Sequence, residues 1–288
     1  MTLPDSDTIA DYPSGALSNA AIVLHVETRG DHDIVLLDST SCHPVDVSWP
    51  DQGADRAALR IDGADRPLVD CIVAATDGST LLLGADIPVR KGTEGWIFVV
   101  AHVVAAGSGL AEGDTVEVIV DGAYRRALST GHSACHVASL ALNRALAHRW
   151  GKETRPDGLG QPDFDGSAIE SSTIHEHGSI DVYRLNKSLR RKGFDMDGLA
   201  ESLPMVAESV NATLAEWIAS SAMVRVDRDG PRLTDRRHWV CELPEASVSI
   251  PCGGTHVSSL DELGTVRVEL TIGDDEGTSI LTMETSAE

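Results

Sequence analysis

The chain has 288 residues, 42% of them hydrophobic, which at about 100 to 200 residues per domain is enough for two domains with ordinary cores. Its 23 basic against 45 acidic residues give a formal net charge of −22, which repels polyanions and excludes a general nucleic-acid-coating protein, so any RNA contact must be local. No run approaches the roughly 18 apolar residues of a membrane span, and the acidic, polar start MTLPDSDTIADYPSG lacks the basic and apolar parts of a secretory signal. A cytoplasmic protein without a membrane partner is expected, and its five scattered cysteines (Cys42, Cys71, Cys135, Cys241, Cys252) predict no disulfide.

From the N-terminus, AAIVLHVET, DIVLLDST, LVDCIVAA, STLLLG, GWIFVVAHVV and TVEVIVD are aliphatic or β-branched runs of strand length, separated by the turn-formers RGDHD, TDG, RKGTEG and AEGD. They predict a small antiparallel barrel or sandwich over residues 1–127. After the capping candidates Ser129 and Thr130 the period changes: His132, His136, Leu140 and Asn143 recur every three to four residues, which predicts a helix in GHSACHVASLALNRALAHRW. Residues 151–172 are rich in Gly, Pro, Asp and Ser and read as a long loop. A second helix is expected over 197–220 with Leu203, Val206, Val210, Leu214 and Trp217 as its apolar stripe. Strands follow around AMVRVD, HWVCEL, TVRVEL and SILTME. The order predicts an α+β protein whose second domain, 128–288, is a two-layer arrangement of helices on antiparallel strands.

HSACH places His132 and His136 four residues apart on that helix, so both imidazoles can reach one point, as two metal ligands must. Ser133 stands where the zinc-protease pattern has glutamate, which disfavours peptide hydrolysis by that route. By itself the pair fits two hydrogen-bonded core histidines as well as a metal. PCGGTHV adds Cys252 and His256 at the same spacing across two glycines, whose freedom to take positive φ would let both side chains converge. One thiolate with three imidazoles is a ligand set for zinc, and the chain has no cysteine pair to make a zinc ribbon. Four ligands would close a tetrahedral zinc, whereas three leave a position open, and His256, on a turn, is the residue able to switch between ligand and base. In RLNKSLRRK, residues Arg184, Lys187 and Arg191 would share one face if the stretch is helical, as a local RNA contact or a solvated patch.

HSACHVASLALNRAL followed much later by CGGTHVSSLDELG resembles the paired HxxxH and CxxxH signatures of the alanyl-tRNA synthetase editing domain and its freestanding relatives, the alanyl-tRNA editing proteins. GDTVEVIVDGAYRRALSTGHSACH, WIFVVAHVV, VAESVNATLAEWI and DRRHWVCEL are similar to the stretches that surround those motifs. The resemblance implies a barrel domain followed by a zinc-binding editing domain, and hydrolysis, in trans, of the ester joining serine or glycine to tRNA for alanine. It implies the metal ligands His132, His136, Cys252 and His256. Arg236 and Arg237, on the strand feeding the turn that holds Gly253, Gly254 and Thr255, are placed for a ribose or phosphate of the substrate, and Thr40 is the best remaining hydroxyl for discriminating a serine side chain. One stretch departs from the family. TSCHPVDVSWPDQG keeps Thr40, Pro44, Pro50 and Gly53, but Val45, Asp46, Val47 and Ser48 replace its glycine-rich part. The alternatives are a zinc hydrolase of the same fold acting on a small ester or amide, and a non-catalytic binding module stabilised by zinc.

Overall fold

The chain divides into two units in a computed structural model that describes residues 3–288. Unit 1 takes the chain up to Arg125, together with Val226–Arg237 and Gly253–Thr255; unit 2 takes Arg126–Arg225, His238–Cys252 and His256–Glu288.

Unit 1 contains β1 (Ile9–Ala10), β2 (Ser18–Arg29), β3 (His32–Leu37), β4 (Ser39–Thr40), β5 (Ala57–Ile61), β6 (Ala64–Thr76), β7 (Leu81–Leu83), β8 (Ile97–Ala105) and β9 (Thr115–Val120). Seven of them form an antiparallel sheet in the order β5-β9-β2-β3-β8-β6-β7, and β5 also pairs with β6, so the ladder returns to its first strand. Along β9, Val116, Val118 and Val120 are buried while Thr115 and Glu117 face solvent, the period-two pattern of a half-buried strand. These valines pack with Val35, Leu37, Leu59, Val73, Phe98 and Val100, each such side chain contributing about 1.5–3 kcal/mol on full burial. Strand β5 (AALRI) was not among the expected strands. It has too few β-branched residues to declare itself and is held by its register, Leu59 opposite Val118.

Two buried polar arrangements brace this sheet. His102 is fully buried, with Nδ1 3.3 Å from the Val35 carbonyl and Nε2 2.8 Å from Thr40 Oγ1. Since a carbonyl only accepts, Nδ1 carries the proton and Nε2 accepts from the threonine hydroxyl. Thr40 Oγ1 also accepts from Cys42 N–H at 3.0 Å, so this hydroxyl is consumed inside the fold. Burial pushes His102 down from 6.5 to about 4. The unfolded chain therefore takes up a proton near 6.5 that the folded chain refuses until about 4, and this group's contribution is present above 6.5 and lost as pH falls through that window. Urea unfolding across the window should show the loss, and His102→Gln should flatten the profile relative to wild type; parallel profiles would contradict it.

The second arrangement is an ion pair. Arg125 Nε donates to Asp55 Oδ1 at 2.8 Å, Nη2 donates to Asp55 Oδ2 and, at 2.8 Å, to the Ser41 carbonyl, and Asp55 Oδ2 accepts from His43 N–H at 2.6 Å. Both side chains are buried, at 5% and 0% exposure.

The remaining elements are α1 (Gly122–Leu146), α2 (Asp165–Ala168), β10 (Ile169–His175), β11 (Gly178–Arg184), α3 (Lys187–Lys192), α4 (Leu199–Ala219), β12 (Val224–Arg228), β13 (Arg237–Glu242), β14 (Ser247–Pro251), β15 (Val266–Asp275) and β16 (Thr278–Ala287). Helix α1 starts before the expected caps: the Asp121 carboxylate accepts from the N–H groups of Ala123 and Tyr124, and Ser129 and Thr130 lie buried within the helix. In unit 2 a four-stranded antiparallel sheet runs β10-β11-β16-β15, and β13 pairs with β14. Gly131 lets α1 meet this sheet, because a Cβ there would lie 2.5 Å from the His175 carbonyl and 2.6 Å from that of Gly178. All five residues of the expected stripe on α4 are buried. Asn211 ties the helix to β15, donating to the Val268 carbonyl at 2.9 Å and accepting from Val268 N–H at 2.8 Å.

The expected loop over 151–172 is only partly a loop: α2 and the start of β10 lie in it. Strand β10 (IESSTIH) is polar and mostly exposed at a sheet edge, so it shows no hydrophobic alternation. Among the described residues, no helix is long and apolar enough to cross a membrane.

Candidate metal centre

Four residues of unit 2 converge. His132 and His136 project from α1, and Cys252 and His256 from the segment after β14; their ligand atoms all lie within 4.8 Å of one another. Cys252 Sγ is 3.4 Å from His132 Nε2 and 3.2 Å from His256 Nε2. The ring centroids of His132 are 4.8 Å from His136 and 4.4 Å from His256. Trp239 on β13, fully buried, walls the cluster with its ring 5.0 Å from that of His136.

The protonation states suit a cation. Burial drives His256 down to about 3, leaving it neutral with a lone pair to offer. Burial raises the Cys252 thiol, but the three neighbouring imidazoles outweigh this and hold it well below the ordinary thiol range. His136 Nε2 is buried and meets no hydrogen-bond partner among the described residues, an arrangement that costs free energy unless something else fills the place. Three imidazoles and one thiolate around an orphaned buried nitrogen fit a metal ion.

Ser133, noted in the sequence only for not being glutamate, supports the centre from behind. Its Oγ accepts from Val257 N–H at 3.1 Å and lies 3.2 Å from His256 Nδ1. With Nδ1–H donating to this oxygen, the Nε2 lone pair of His256 is turned toward Cys252, the outer-partner logic of metal-binding histidines. Cys135, between the two histidines in sequence, points elsewhere: its Sγ lies 3.5 Å from Asp181 Oδ1, and burial pushes this thiol well up. Asp181 is buried and also accepts from Ser172 at 2.5 Å and Ser179 at 2.8 Å.

Of the other expected site residues, some come together and others do not. Within unit 1, Arg237, Gly253 and Gly254 line a small pocket with Tyr12, His43 and Trp49. Arg237 is buried, donating to Tyr12 OH at 3.3 Å and the Arg232 carbonyl at 2.9 Å, while its Nε has no partner among the described residues. Arg236 is exposed. Gly253 does not use the left-handed backbone expected of the turn; a Cβ there would meet nothing within 4 Å, so its backbone simply stays open to the pocket. Thr255 is buried and locked to Gln52, whose Nε2 donates to Thr255 Oγ1 at 3.0 Å and whose Oε1 accepts from Thr255 N–H at 3.0 Å. A lone glutamine 203 positions away carries no sequence signal of that pairing. Thr40 lies in the interior, engaged by His102 and Cys42 as described. Arg184 is on strand β11, paired with Glu170 at 2.6 Å and Asp275 at 2.8 Å, whereas Lys187 and Arg191 are exposed on α3, so the three do not share a helical face.

The fold and site together define a strand-rich α+β protein with a largely buried His–His–Cys–His cluster able to hold a metal ion, His132 and Cys252 inside and His136 and His256 half-buried. No family model matches the chain. It is similar to alanine–tRNA ligases: 29% identical to that of Ruegeria pomeroyi over 61% of this chain and 19% of the ligase, and 25% identical to that of Thermobifida fusca over 83% of this chain and 22% of the ligase. Against the Nocardioides enzyme it is 26% identical over 91% of this chain and 25% of the ligase. The resemblance to alanyl-tRNA synthetases carried by the paired motifs is thereby borne out, and the chain spans about a fifth to a quarter of the length of these relatives.

Proposed function

We propose that the chain hydrolyses the ester of tRNA for alanine mischarged with serine or glycine, acting in trans, with zinc held by His132, His136, Cys252 and His256. The observation that carries this reading is the convergence of those four donors in a chain related to alanine–tRNA ligases. Bound zinc would supply Lewis acidity toward the ester carbonyl. An aminoacyl ester is already activated, so the side chains need only hold carbonyl and water in line. His132, His136 and Cys252 form the rigid part of the holder, and His256, carried on the segment after β14 and aligned by Ser133, either completes it or accepts the proton of the attacking water. No covalent intermediate forms: Cys252 is committed to the centre, and the Ser133 hydroxyl is already engaged by Val257 and His256. Arg237, whose Nε has no partner among the described residues, and the open backbone of Gly253, beside Gly254 in the same pocket, are the substrate contacts, suited to a ribose or phosphate; exposed Arg236 is the weaker choice. The returning ladder of strands in unit 1 supports reading the N-terminal domain, to about residue 127, as a small antiparallel barrel.

The second reading, hydrolysis of a small ester or amide by the same centre, is favoured by the net charge of −22 and by Val45–Asp46–Val47–Ser48 in place of flexible glycines. A panel of charged tRNAs separates the two. Serine and glycine should be released from tRNA for alanine while alanine is retained, and mass spectrometry of quenched reactions should show unmodified Cys252 and Ser133. Turnover of small esters with every charged tRNA left intact would select the second reading, and an acylated Cys252 would refute the attack by water.

A further inference from the structure

Three of the chain's four lysines, Lys152, Lys187 and Lys192, fall in two short stretches, and unit 2 lays these stretches side by side. Gly151 N–H donates to the Gly193 carbonyl at 2.9 Å and Asp195 N–H to the Arg149 carbonyl at 2.8 Å. Lys152 Nζ reaches the Arg191 carbonyl at 3.1 Å, and the Trp150 ring meets Phe194 edge-on at 5.2 Å. The approach is close enough to require Gly193, whose φ is +107° and where a Cβ would lie 2.8 Å from that of Lys152. Two arginines nearby are occupied: Arg149 by the carbonyls of Asp195 and Asp197, and Arg190 by the Asp197 carboxylate at 3.8 Å. Lys152, Lys187, Arg191 and Lys192 are exposed and form no ion pair among the described residues. In a chain of net charge −22, four uncompensated cations on adjoining stretches make a strip of the opposite sign.

A groove adjoins the strip, walled by Ala147, Trp150, Lys152, Pro156 and Pro162. The indole Nε1 of Trp150 is buried and has no acceptor among the described residues. Glu153 is the carboxylate on the wall, which disfavours a phosphate in the groove itself. The groove thus asks for a flat, uncharged group with a hydrogen-bond acceptor on its edge, and the strip beside it asks for repeated negative charge. A nucleotide chain supplies both in that order, base or ribose against the aromatic and proline faces and phosphates along the cations. An acidic peptide meets the cations and offers acceptors to the indole N–H but brings no flat ring for the aromatic and proline faces, and an apolar peptide would leave the cations bare.

We propose that this groove and strip are a docking surface for an unpaired stretch of RNA, with Lys152, Lys187, Arg191 and Lys192 on its phosphates and Trp150 against one base. This deepens the proposed function and rests on it only for identifying the RNA as tRNA. The test is fluorescence anisotropy of the whole chain with a labelled single-stranded RNA of mixed sequence, titrated with salt, beside inorganic polyphosphate as a polyanion without rings. The double variant Lys187→Glu/Arg191→Glu should lower RNA affinity about tenfold and, having removed two phosphate contacts, reduce the logarithmic salt slope by about 1.4. Arg60→Glu/Arg267→Glu makes the same change in net charge at exposed arginines elsewhere and should leave affinity within about twofold. Trp150→Phe keeps the ring and removes the N–H, and should weaken RNA while leaving polyphosphate binding as it was. Equal losses in the two double variants, or equal effects of Trp150→Phe on RNA and polyphosphate, would overturn the proposal. Hydrolysis of a small aminoacyl ester should be intact in all of them. RNA binding of this pattern without ester turnover in wild type would reject the proposed reaction and leave this surface standing.

Discussion

Cys252→Ala should strip the metal from the protein and abolish ester hydrolysis, and His132→Ala should do the same. Both side chains are buried in the cluster of four donors, so removing either leaves a cavity that water cannot fill with an equivalent soft or imidazole ligand. The loss in metal affinity should exceed the about 10–100-fold that follows removal of an outer partner. Ser133→Ala provides that smaller comparison, because it frees His256 to turn without deleting a donor. Metal content of purified protein, read by mass spectrometry with chelator competition, should give one zinc per chain in wild type. Full occupancy in both Cys252→Ala and His132→Ala would rule out this centre, and circular dichroism of each variant separates lost metal from a lost fold.

Asp55→Ala should cost about 3–5 kcal/mol of stability. The substitution leaves the Arg125 guanidinium buried with only carbonyl partners and His43 N–H without its acceptor, and an uncompensated buried charge is far more costly than an absent pair. The companion variant Asp55→Leu/Arg125→Met removes both charges and should recover much of the loss. Chemical denaturation of the three proteins decides it: a cost below about 1 kcal/mol for Asp55→Ala would mean that the pair behaves as an exposed one.

Much of this was legible before any coordinates. The apolar stripe of α4 follows from helical spacing alone, since side chains three and four apart must share a face, and Leu203 through Trp217 are all buried. The strands β2, β6, β8 and β9 declare themselves by β-branched runs between turns. The two ends of the metal cluster were legible for the same local reason: His132 and His136 are set by one helix, and Cys252 and His256 by one short segment. Strands β10 and β14 were not legible, because short or polar edge strands are specified by the neighbour they pair with and carry little hydrophobic period of their own, nor was β5, which has one β-branched residue in five and is fixed by pairing with β9 and β6.

The sequence by itself determined the α+β class, the chemistry of the donors and the scarcity of positive charge, because composition and short-range spacing are properties of the chain before it folds. Only the tertiary structure decided which donors meet, that Ser133 holds His256, that Gln52 holds Thr255, and that Thr40 spends its hydroxyl on His102. It also split Arg184 from Lys187 and Arg191 while carrying Lys152 across to them. These partners lie tens to hundreds of positions apart, and a hydrogen bond or a charge cluster over such a separation is fixed by the packing of whole elements, to which the spacing of residues along the chain is blind.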